Sequence, residues 1–475
     1  MRKMIKLIKQ ACLVLAVVWL SSPAHAQITM EEVNGSWLGT MNIPEGPSLT
    51  IGVEIFKKAD GEWGGNIASL DQGVRYMLVS NVNAENGILT VQMANAPVSI
   101  TGKMGESNNV IVSIFKQGGS EFDLVLHKVD ALPEIERKQT PQPTDDYIQQ
   151  DVAYQNAQDG TWLAGTLTLP KGNQKHPAIM LVAGSGPNHR DSYHAGHRTF
   201  KVLADHLTRE GFVVLRSDKR GVYKSAGKFE DATLENLALD TQSAVRFLKS
   251  HPRVDSQKLI LIGHSEGSLV SVMAAQEASI QGIVSMAGPG MSVLDILLLQ
   301  DQTEPAAKGA SKAETDILLK FSQRFYAMVL NTPSPEERKN KALMMYDNLA
   351  GREAEVVAKW VNKNNGTLSI SSAQSTSFYE FLQQSPLPYW NQFSGKALVL
   401  NGGKDSQVPA EANIAGLVNA VDKSRAEVES HLFEGLNHLF QPAETGSIDE
   451  YQNIETTIDN DVLSVISTWL KQNFR

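Results

Sequence analysis

The sequence is poor in three features: cysteine, long apolar segments and positive charge. Its 475 residues include one cysteine, Cys12, and 43 basic residues against 52 acidic ones, which gives a formal net charge of −9. The apolar run at 11–20 is about half the ~20 residues that a membrane-spanning helix requires. Acidic proteins bind nucleic acid and anionic lipid surfaces poorly. We therefore expect no nucleic-acid partner and no stable insertion into a membrane.

The first 26 residues have the pattern of a secretory signal peptide. The apolar run follows four basic residues and no acidic one: Arg2, Lys3, Lys6 and Lys9. Small residues at Ala24 and Ala26 fit a cleavage site after Ala26, so we expect export to the periplasm or the extracellular space. Cys12 leaves with this segment. The mature chain then has a formal charge of −13 and no cysteine, which excludes disulfides, thiolate metal ligands and a cysteine nucleophile.

Residues 27–130 form the first predicted domain. Turn signals such as Asp60-Gly61 separate short strands of alternating polarity, and no amphipathic helix intervenes. The predicted strands are 49–56, 76–82, 87–93, 98–102, 110–116 and 122–127. This pattern predicts a small all-β sandwich or barrel. Trp37 and Trp63 either fill its core or bind a glycan or lipid, and we favour the core.

Residues 147–475 form the second predicted domain, after an extended linker at 131–146 that contains three prolines. Nearly continuous apolar runs predict strands that are covered on both faces, at 178–183, 212–215, 258–262, 283–287 and 397–400. These strands alternate with helices predicted at 199–209, 233–249 and 269–278, which indicates a doubly wound, mostly parallel sheet. About a hundred largely helical residues, 291–391, interrupt this order and are predicted to form a cap that shapes a pocket.

The sharpest local motif is Gly263-His264-Ser265-Glu266-Gly267, which lies between a predicted strand and a predicted helix. A nucleophile on such a strained turn, a nucleophile elbow, needs small residues two positions before and after it, because neighbouring backbone comes too close for a β-carbon. Gly263 and Gly267 meet this need. The helix that follows also directs its amino end at Ser265, where an oxyanion would form. The motif therefore predicts a nucleophilic serine.

A serine nucleophile requires a general base and a group that orients the base. After an elbow of this type, the acid and then the histidine follow on loops at the ends of later strands. Asp405 follows one such strand, and His438 follows another. We therefore predict that Ser265, Asp405 and His438 form a catalytic triad. His431 lies inside a strand pattern and Glu434 would leave Asp405 unexplained, so both are weaker candidates.

Two backbone N–H groups are expected to bind the oxyanion. One belongs to Glu266, directly after the nucleophile, and the other lies in the loop after the first parallel strand, where we choose Ser185 over Gly186. Three histidines follow this loop: His189, His194 and His197. His194 and His197 are three residues apart, which is a spacing found in zinc sites, but no carboxylate completes a set of ligands with them. We expect neither a metal nor a cofactor.

Several stretches resemble the bacterial α/β-hydrolases that are often labelled esterases or serine aminopeptidase-like hydrolases. These stretches are GSGPNHRD, LADHLTREGFVVLRSDKRGVYKSAG, LILIGHSEGS, LVLNGGKDSQVP and GLNHLF. The resemblance covers nearly all of 151–475, and GSWLG at 35–39 resembles the β-rich companion domain of such exported proteins. It implies an α/β-hydrolase fold with a helical cap and assigns the triad and oxyanion roles to Ser265, Asp405, His438, Ser185 and Glu266.

The sequence departs from that family at two positions. Ser268 follows Gly267 where the family has a second glycine, and Tyr223 stands where it has another. Neither is a predicted triad position, so the departures concern the shape of the pocket. Three further positions match the family: Arg216, Asp218 and Arg220. They either brace loops as an ion-pair network or contact the substrate, and we favour the network.

We expect a serine hydrolase that cleaves carboxylic esters through an acyl-enzyme, with a small-molecule or acylated substrate. A peptidase of the same fold is the alternative, and it would need an acid such as Glu266 or Glu380 to hold the substrate's amino terminus. A binding protein with a degenerate fold is the third alternative, but the complete set of Ser, His and Asp argues against it. Acyl and alcohol specificity depend on how the cap lines the pocket, and the sequence does not indicate an oligomeric state.

Overall fold

The computed structural model describes residues 28–475 except 95, 365 and 425. The predicted signal peptide, residues 1–26, lies outside the described residues. The chain divides into two compact units. The first contains the described residues up to Phe56 with Trp63–Asp71 and Met77–Leu132, and the second contains Lys57–Glu62, Gln72–Tyr76 and Pro133–Arg475. No helix among the described residues combines the length and the apolar content that crossing a membrane requires.

The first unit is a closed barrel of eight strands in sequential order. After a short helix, α1 (Met30–Val33), its strands are β1 (Gly35–Asn42), β2 (Ser48–Lys57), β3 (Trp63–Ser69), β4 (Val74–Glu85), β5 (Ile88–Met93), β6 (Val98–Met104), β7 (Val110–Gln117) and β8 (Ser120–Val129). Pairing of β1 with β8 closes it. Trp37 is fully buried in its core and donates from Nε1 to Val33 O at 2.7 Å, while Trp63 packs against the same core. The all-β prediction is confirmed, and the architecture is the barrel.

The second unit is built on an eight-stranded sheet. The strands of this unit are β9 (Tyr147–Gln155), β10 (Trp162–Pro170), β11 (His176–Val182), β12 (Tyr193–His194), β13 (His197–Arg198), β14 (Val213–Ser217), β15 (Val254–His264), β16 (Gly282–Met286), β17 (Lys396–Gly402) and β18 (Glu427–Phe433). β12 and β13 form a separate two-stranded hairpin, and the order in the main sheet is β18-β17-β16-β15-β11-β14-β10-β9. β10 is antiparallel to both of its neighbours, β9 and β14. The other six strands, β14, β11, β15, β16, β17 and β18, are parallel to one another.

The helices of this unit cover the two faces of the sheet or form a cap. They are α2 (Thr199–Arg209), α3 (Leu234–Ser250), α4 (Glu266–Ala274), α5 (Val293–Ala307), α6 (Lys312–Leu330), α7 (Pro335–Asp347), α8 (Gly351–Trp360), α9 (Ile370–Gln374), α10 (Thr376–Phe381), α11 (Leu387–Trp390), α12 (Ala410–Asp422) and α13 (Asn460–Phe474). Along β11, Ala178 and Met180 belong to one apolar cluster, and Ile179 and Leu181 belong to the other. Burial on both faces explains why such strands are apolar at every position. The predicted doubly wound sheet of an α/β-hydrolase is confirmed.

The cap consists of α5 to α11, which lie between β16 and β17 within the predicted span 291–391. One arginine, Arg338 on α7, is fully buried inside it. Its guanidinium donates to Ala373 O at 2.6 Å, to Pro333 O at 2.7 Å and to Thr332 O at 3.1 Å. These bonds satisfy carbonyls near helix ends and tie α7 to the segment that carries α9 and α10.

The segment predicted to be a linker contains no helix or strand, and from Pro133 onward it belongs to the second unit. Gln139 Nε2 donates to Ile458 O at 2.8 Å, and its Oε1 accepts from Thr457 N at 2.6 Å. Arg137 Nη2 donates to Gln452 O at 2.8 Å. The extended backbone is therefore fixed by side-chain hydrogen bonds to the residues that precede α13.

Candidate active site

Ser265 lies at the turn between β15 and α4, with a backbone φ of +56° and ψ of −125°. A positive φ is unfavourable for a residue with a β-carbon, so the surrounding structure must enforce it. The Ser265 N–H donates to Met286 O in the neighbouring strand at 2.8 Å. A β-carbon on Gly263 would lie 2.2 Å from Gly267 O, and one on Gly267 would lie 2.1 Å from Val182 O. The two glycines thus permit the tight, strained turn that the motif predicts.

Asp405 and His438 form a buried, hydrogen-bonded pair. His438 Nδ1 donates to Asp405 Oδ2 at 2.7 Å. The other carboxylate oxygen accepts from the backbone N–H groups of Gln407 and Val408, at 2.9 and 2.8 Å. With Nδ1 as a donor, the neutral His438 ring presents Nε2 as an acceptor. Two weaker sequence candidates are exposed residues: His431 and Glu434.

The loop that carries His438 is fixed by two buried side chains. Asn437 Oδ1 accepts from the N–H groups of Leu439 and Gln441, each at 3.0 Å, which closes a tight turn. His264, in the nucleophile motif, donates from Nε2 to the backbone oxygen of His438 at 2.9 Å. Burial lowers the pKa of His264 to about 3, so this ring is neutral. The motif therefore positions the histidine loop as well as the serine.

The loop after β11 passes directly against the elbow, since a β-carbon on Gly184 would lie 3.1 Å from Ser265 Cβ. Asn188 Nδ2 holds this loop by donating to the carbonyls of Gly184, Ser185 and Gly186 at 2.9, 2.8 and 3.1 Å. The C=O and N–H of a trans peptide point in opposite directions, so the Ser185 N–H faces away from Asn188. Position 266 is the first residue of α4, where an N–H has no intrahelical acceptor.

Lys219 connects this loop to α4. Its Nζ donates to Glu266 Oε1 at 3.1 Å and to Gly184 O at 2.5 Å, and Ser185 Oγ donates to Glu266 Oε2 at 3.2 Å. The side chains of Lys219 and Glu266 are only 9% and 12% exposed. The charge of the Glu266 carboxylate is therefore balanced by Lys219 within the protein. The same hydrogen bonds join the two segments that carry the predicted oxyanion donors.

A cavity of about 400 Å³ is lined by Ser265 and His438. Apolar and neutral polar side chains from the cap form part of its wall: Val293, Ile296, Leu297, Gln300, Thr367 and Phe381. The first four are spaced as on one face of a helix, so α5 lies along the cavity. Leu269 and Leu439 add apolar surface. Glu266 is the one acidic residue among the described residues of this lining, which include no lysine or arginine.

The three residues expected to brace loops make ion pairs outside this lining. They are Arg216 with Asp191 at 2.8 Å, Asp218 with Arg190 at 2.6 Å, and Arg220 with Asp240 at 2.6 Å. All six side chains are largely buried. Partnered charges of this kind hold loops in one conformation, which confirms the expectation of a structural network.

The three histidines weighed as zinc ligands have separate environments. His197 donates from Nε2 to Tyr451 O at 2.9 Å and lies 3.0 Å from Thr457 Oγ1 through Nδ1. His189 is buried, and burial lowers its pKa to about 4. His194 lines the cavity. Within the part of the chain that the structure describes, no group of three or more His, Cys, Asp or Glu residues is arranged to hold a metal ion.

Sequence reasoning missed the residues that support the site: Asn188, Lys219, His264 and Asn437. His264 lies in the predicted motif and Asn437 directly precedes His438. Their nearness in sequence to Ser265 and His438 was the one feature that could have indicated a role in the site. Their partners are distant in sequence, since the bond from His264 joins residues 174 positions apart and that from Lys219 to Glu266 joins residues 47 apart. No local pattern reports such contacts.

Comparisons with known proteins find a family and several related hydrolases. A family model described as X-Pro dipeptidyl-peptidase (S15 family) matches residues 159–424. Esterase EstD from Thermotoga maritima is 24% identical over 308 residues, and the match spans 65% of this chain and 65% of EstD, less than two thirds of its length.

Solved esterase structures are also similar. The Pyrococcus furiosus esterase Pf2001 has 17% identity and a TM-score of 0.41, with 72% of this chain and 97% of that chain covered. Est1E from Butyrivibrio proteoclasticus has 18% identity and a TM-score of 0.39, with coverage of 68% and 96%. The family match covers more than half of the chain and includes the elbow and Asp405. The chain is an α/β-hydrolase and belongs to the X-Pro dipeptidyl-peptidase (S15) family.

Proposed function

We propose that this hydrolase cleaves carboxylic esters, with Ser265 as nucleophile, His438 as general base and then acid, and Asp405 as the residue that orients the imidazole. The proposal is carried by the 2.7 Å bond between Asp405 and His438, whose ring lines one cavity with the strained elbow serine. A carboxylate, an imidazole and a hydroxyl in this order are what activation of a serine requires.

The reaction proceeds in two halves. Ser265 Oγ attacks the acyl carbonyl while His438 Nε2 accepts the hydroxyl proton, and the resulting oxyanion is stabilised by the N–H groups of Ser185 and Glu266 and by the amino end of α4. The ester C–O bond then breaks, and the leaving alcohol takes the proton from His438. Water, deprotonated by the same nitrogen, attacks the acyl-enzyme. The bond from the acyl carbon to Ser265 Oγ then breaks, His438 returns the proton to Ser265 Oγ, and the acid is released. No step requires a metal or a cofactor.

The lining of the cavity supports an ester over a peptide substrate. A peptidase that acts from the amino end of its substrate must bind a charged amino terminus, and an unpaired carboxylate suits that cation. Among the lining residues that the structure describes, the one carboxylate is Glu266, which is already bonded to Lys219 and Ser185. The other acidic candidate, Glu380, lines a separate groove. Apolar and neutral polar walls suit an acyl chain.

Peptide cleavage is the second candidate, because the matching family model is named for an X-Pro dipeptidyl-peptidase. The same Ser265, Asp405 and His438 would serve, with His438 protonating the leaving amine. The two candidates therefore differ in what the cavity binds and share one nucleophile.

Kinetics of the purified protein test both candidates. We expect turnover of p-nitrophenyl esters, a fall of about 10³-fold or more in kcat/KM for Ser265→Ala, and no change for Ser279→Ala, a serine on the surface. An X-Pro p-nitroanilide with a higher kcat/KM than the short-chain esters would establish the peptidase instead. Retained ester turnover in Ser265→Ala would reject both.

We further propose that the chain is exported with cleavage after Ala26 and that its partner is a small-molecule or acylated ester rather than nucleic acid. The four basic residues, the apolar run and the small residues before the cleavage site support export. Amino-terminal sequencing of the protein from its producing cells tests this proposal. Gln27 as the first residue supports it, and a retained Met1 refutes it.

A further inference from the structure

One histidine at the cavity has no role in the reaction proposed above. His194 stands on the hairpin of β12 and β13, where it pairs with His197 across the two strands. Its side chain lines the cavity together with Ser265 and His438. A titratable side chain that faces the reacting groups without taking part in proton transfer is a candidate for contact with the substrate.

The imidazole of His194 is open to the cavity yet surrounded by protein. The residue is exposed, but crowding by the surrounding protein, with smaller effects of the charges that His438 and His197 can carry, lowers its pKa to about 4. The ring is therefore neutral at pH 7 and has one N–H donor and one nitrogen acceptor. No hydrogen bond to either nitrogen is found among the described parts of the chain.

The neighbouring histidines have protein partners. His197 bonds to Tyr451 O, His264 bonds to the carbonyl of His438, and His438 bonds to Asp405. A polar group without a hydrogen-bond partner on the protein takes one from water or from a ligand. Of these rings, His194 is the one whose donor and acceptor both remain available to a molecule in the cavity.

The hairpin holds His194 in a fixed position. At its base, Asp191 accepts from Arg198 Nη1 and from Arg216 Nε, each at 2.8 Å. At its tip, Ala195 has a φ of +48°, and its carbonyl accepts from Arg137 Nη2 at 2.9 Å. Side chains supported in this way are preorganised, so a bond to the substrate costs little ordering entropy.

We propose that His194 binds a hydroxyl or amide group of the substrate, so that the enzyme prefers esters with such a neutral group close to the scissile carbonyl over plain alkyl esters. This inference rests on the esterase function proposed above and adds its substrate class. Other polar residues of the described lining are neutral as well, including Gln300, Thr367 and Gln407. A cationic substrate group would meet no unpaired carboxylate there, and an anionic group would meet no lysine or arginine.

Matched ester pairs test the proposal by acid release. Ethyl 3-hydroxybutanoate against ethyl butanoate probes the acyl side, and 2-hydroxypropyl butanoate against propyl butanoate probes the alcohol side. We expect the wild type to favour the hydroxylated member of at least one pair by about 3- to 10-fold in kcat/KM. His194→Phe and His194→Ala should bring this ratio to about 1, and His194→Gln, which keeps a donor and an acceptor, should retain part of it.

Each variant is judged by its own ratio of kcat/KM for the hydroxylated ester to kcat/KM for the plain ester. A change in overall rate affects both values equally and therefore leaves this ratio unchanged. His431→Gln, on the exposed edge strand β18, is the control and should keep the wild-type ratio. A wild-type ratio near 1 for both pairs, or an unchanged ratio in His194→Ala, overturns the role of His194. Failure of the esterase proposal is distinct, because it appears as no hydrolysis of any of the four esters by the wild type, or as retained hydrolysis of all four in Ser265→Ala.

Discussion

Replacing Asp301 by asparagine should stabilise the protein at neutral and alkaline pH. Asp301 lies on α5, beside the cavity-lining Gln300, and its Oδ2 accepts from Tyr326 OH at 2.6 Å. Burial raises the pKa of Asp301 from 3.8 to about 6, against the lowering effect of the hydrogen bond from Tyr326. The folded protein therefore holds this proton more tightly than the unfolded chain does.

The sign and size of the effect follow from this difference in pKa. Below pH 3.8 the carboxyl group is protonated in both states, and folding is not penalised. Between pH 3.8 and about 6 the unfolded chain ionises first, so the free energy of unfolding falls, and above this range the loss is constant. A difference of about 2 pKa units corresponds to about 3 kcal/mol. Asparagine keeps an oxygen for Tyr326 without the charge, so it should recover up to this amount at pH 8.

Thermal unfolding of the wild type and Asp301→Asn at pH 4 and pH 8 measures the effect. The control is Asp316→Asn on α6, whose exposed pair with Lys312 at 3.0 Å contributes at most about 1 kcal/mol. We expect Asp301→Asn to raise Tm by several degrees at pH 8 and by much less at pH 4. A Tm at pH 8 that is equal to or below that of the wild type, or an equal gain at both pH values, would refute the reasoning.

Three further substitutions test the cap, the elbow and the histidine loop. Arg338→Met leaves buried carbonyls in the cap unpaired, so we expect thermal unfolding to show a loss of about 2–4 kcal/mol and ester assays to show weaker discrimination between acyl chains. Gly267→Ala places a β-carbon 2.1 Å from Val182 O, and esterase activity should fall about 100-fold or more. Asn437→Ala removes the bonds that close the turn at His438, and kcat should fall about 10-fold with little change in KM.

The controls and contrary results are specific to each. Gly435→Ala adds a β-carbon with nothing within 4 Å, so this control should retain full activity. Wild-type activity in Gly267→Ala would contradict the account of the elbow. An unchanged Tm in Arg338→Met would show that its hydrogen bonds do not stabilise the cap. A wild-type kcat in Asn437→Ala would show that the loop keeps its conformation without that side chain.

The parallel sheet was predictable because two covered faces favour an unbroken run of apolar residues, as in β11 from Ala178 to Val182. The barrel was predictable as a class, but β1 and β3 were missed. Both contain glycine and polar residues, and besides its hairpin with β2, β1 pairs with β8, which lies about 90 residues away. Closure of a barrel depends on such long-range pairs, which no local pattern encodes.

The cap was located from sequence, but its most important helix was not identified. α5 begins with VLDILLL, in which every residue except Asp295 is apolar, and it contains Pro305, so it lacks the clear helical period that predicts amphipathic helices. Its apolar residues serve two surfaces, since the helix packs within the cap and also faces the cavity. Two covered faces remove the alternation on which prediction relies.

For the site, the elbow motif and the chain order of acid and histidine predict Ser265, Asp405 and His438 as a triad, and in the structure Asp405 bonds to His438, which lines one cavity with Ser265. The charge environment was not accessible in the same way. Glu266 remained a candidate for binding an amino terminus because nothing in the sequence showed that Lys219 neutralises it. Electrostatics depend on distances between separate loops, and these appear only in the folded chain.

The central claim, that Ser265 is the nucleophile, is tested most directly by labelling with an alkyl p-nitrophenyl phosphonate followed by peptide mass spectrometry. We predict one adduct, on Ser265, that is lost in Ser265→Ala, forms far more slowly in His438→Gln and is unchanged in Ser279→Ala. An adduct on a different residue, or labelling of Ser265→Ala at the wild-type rate, would contradict the account.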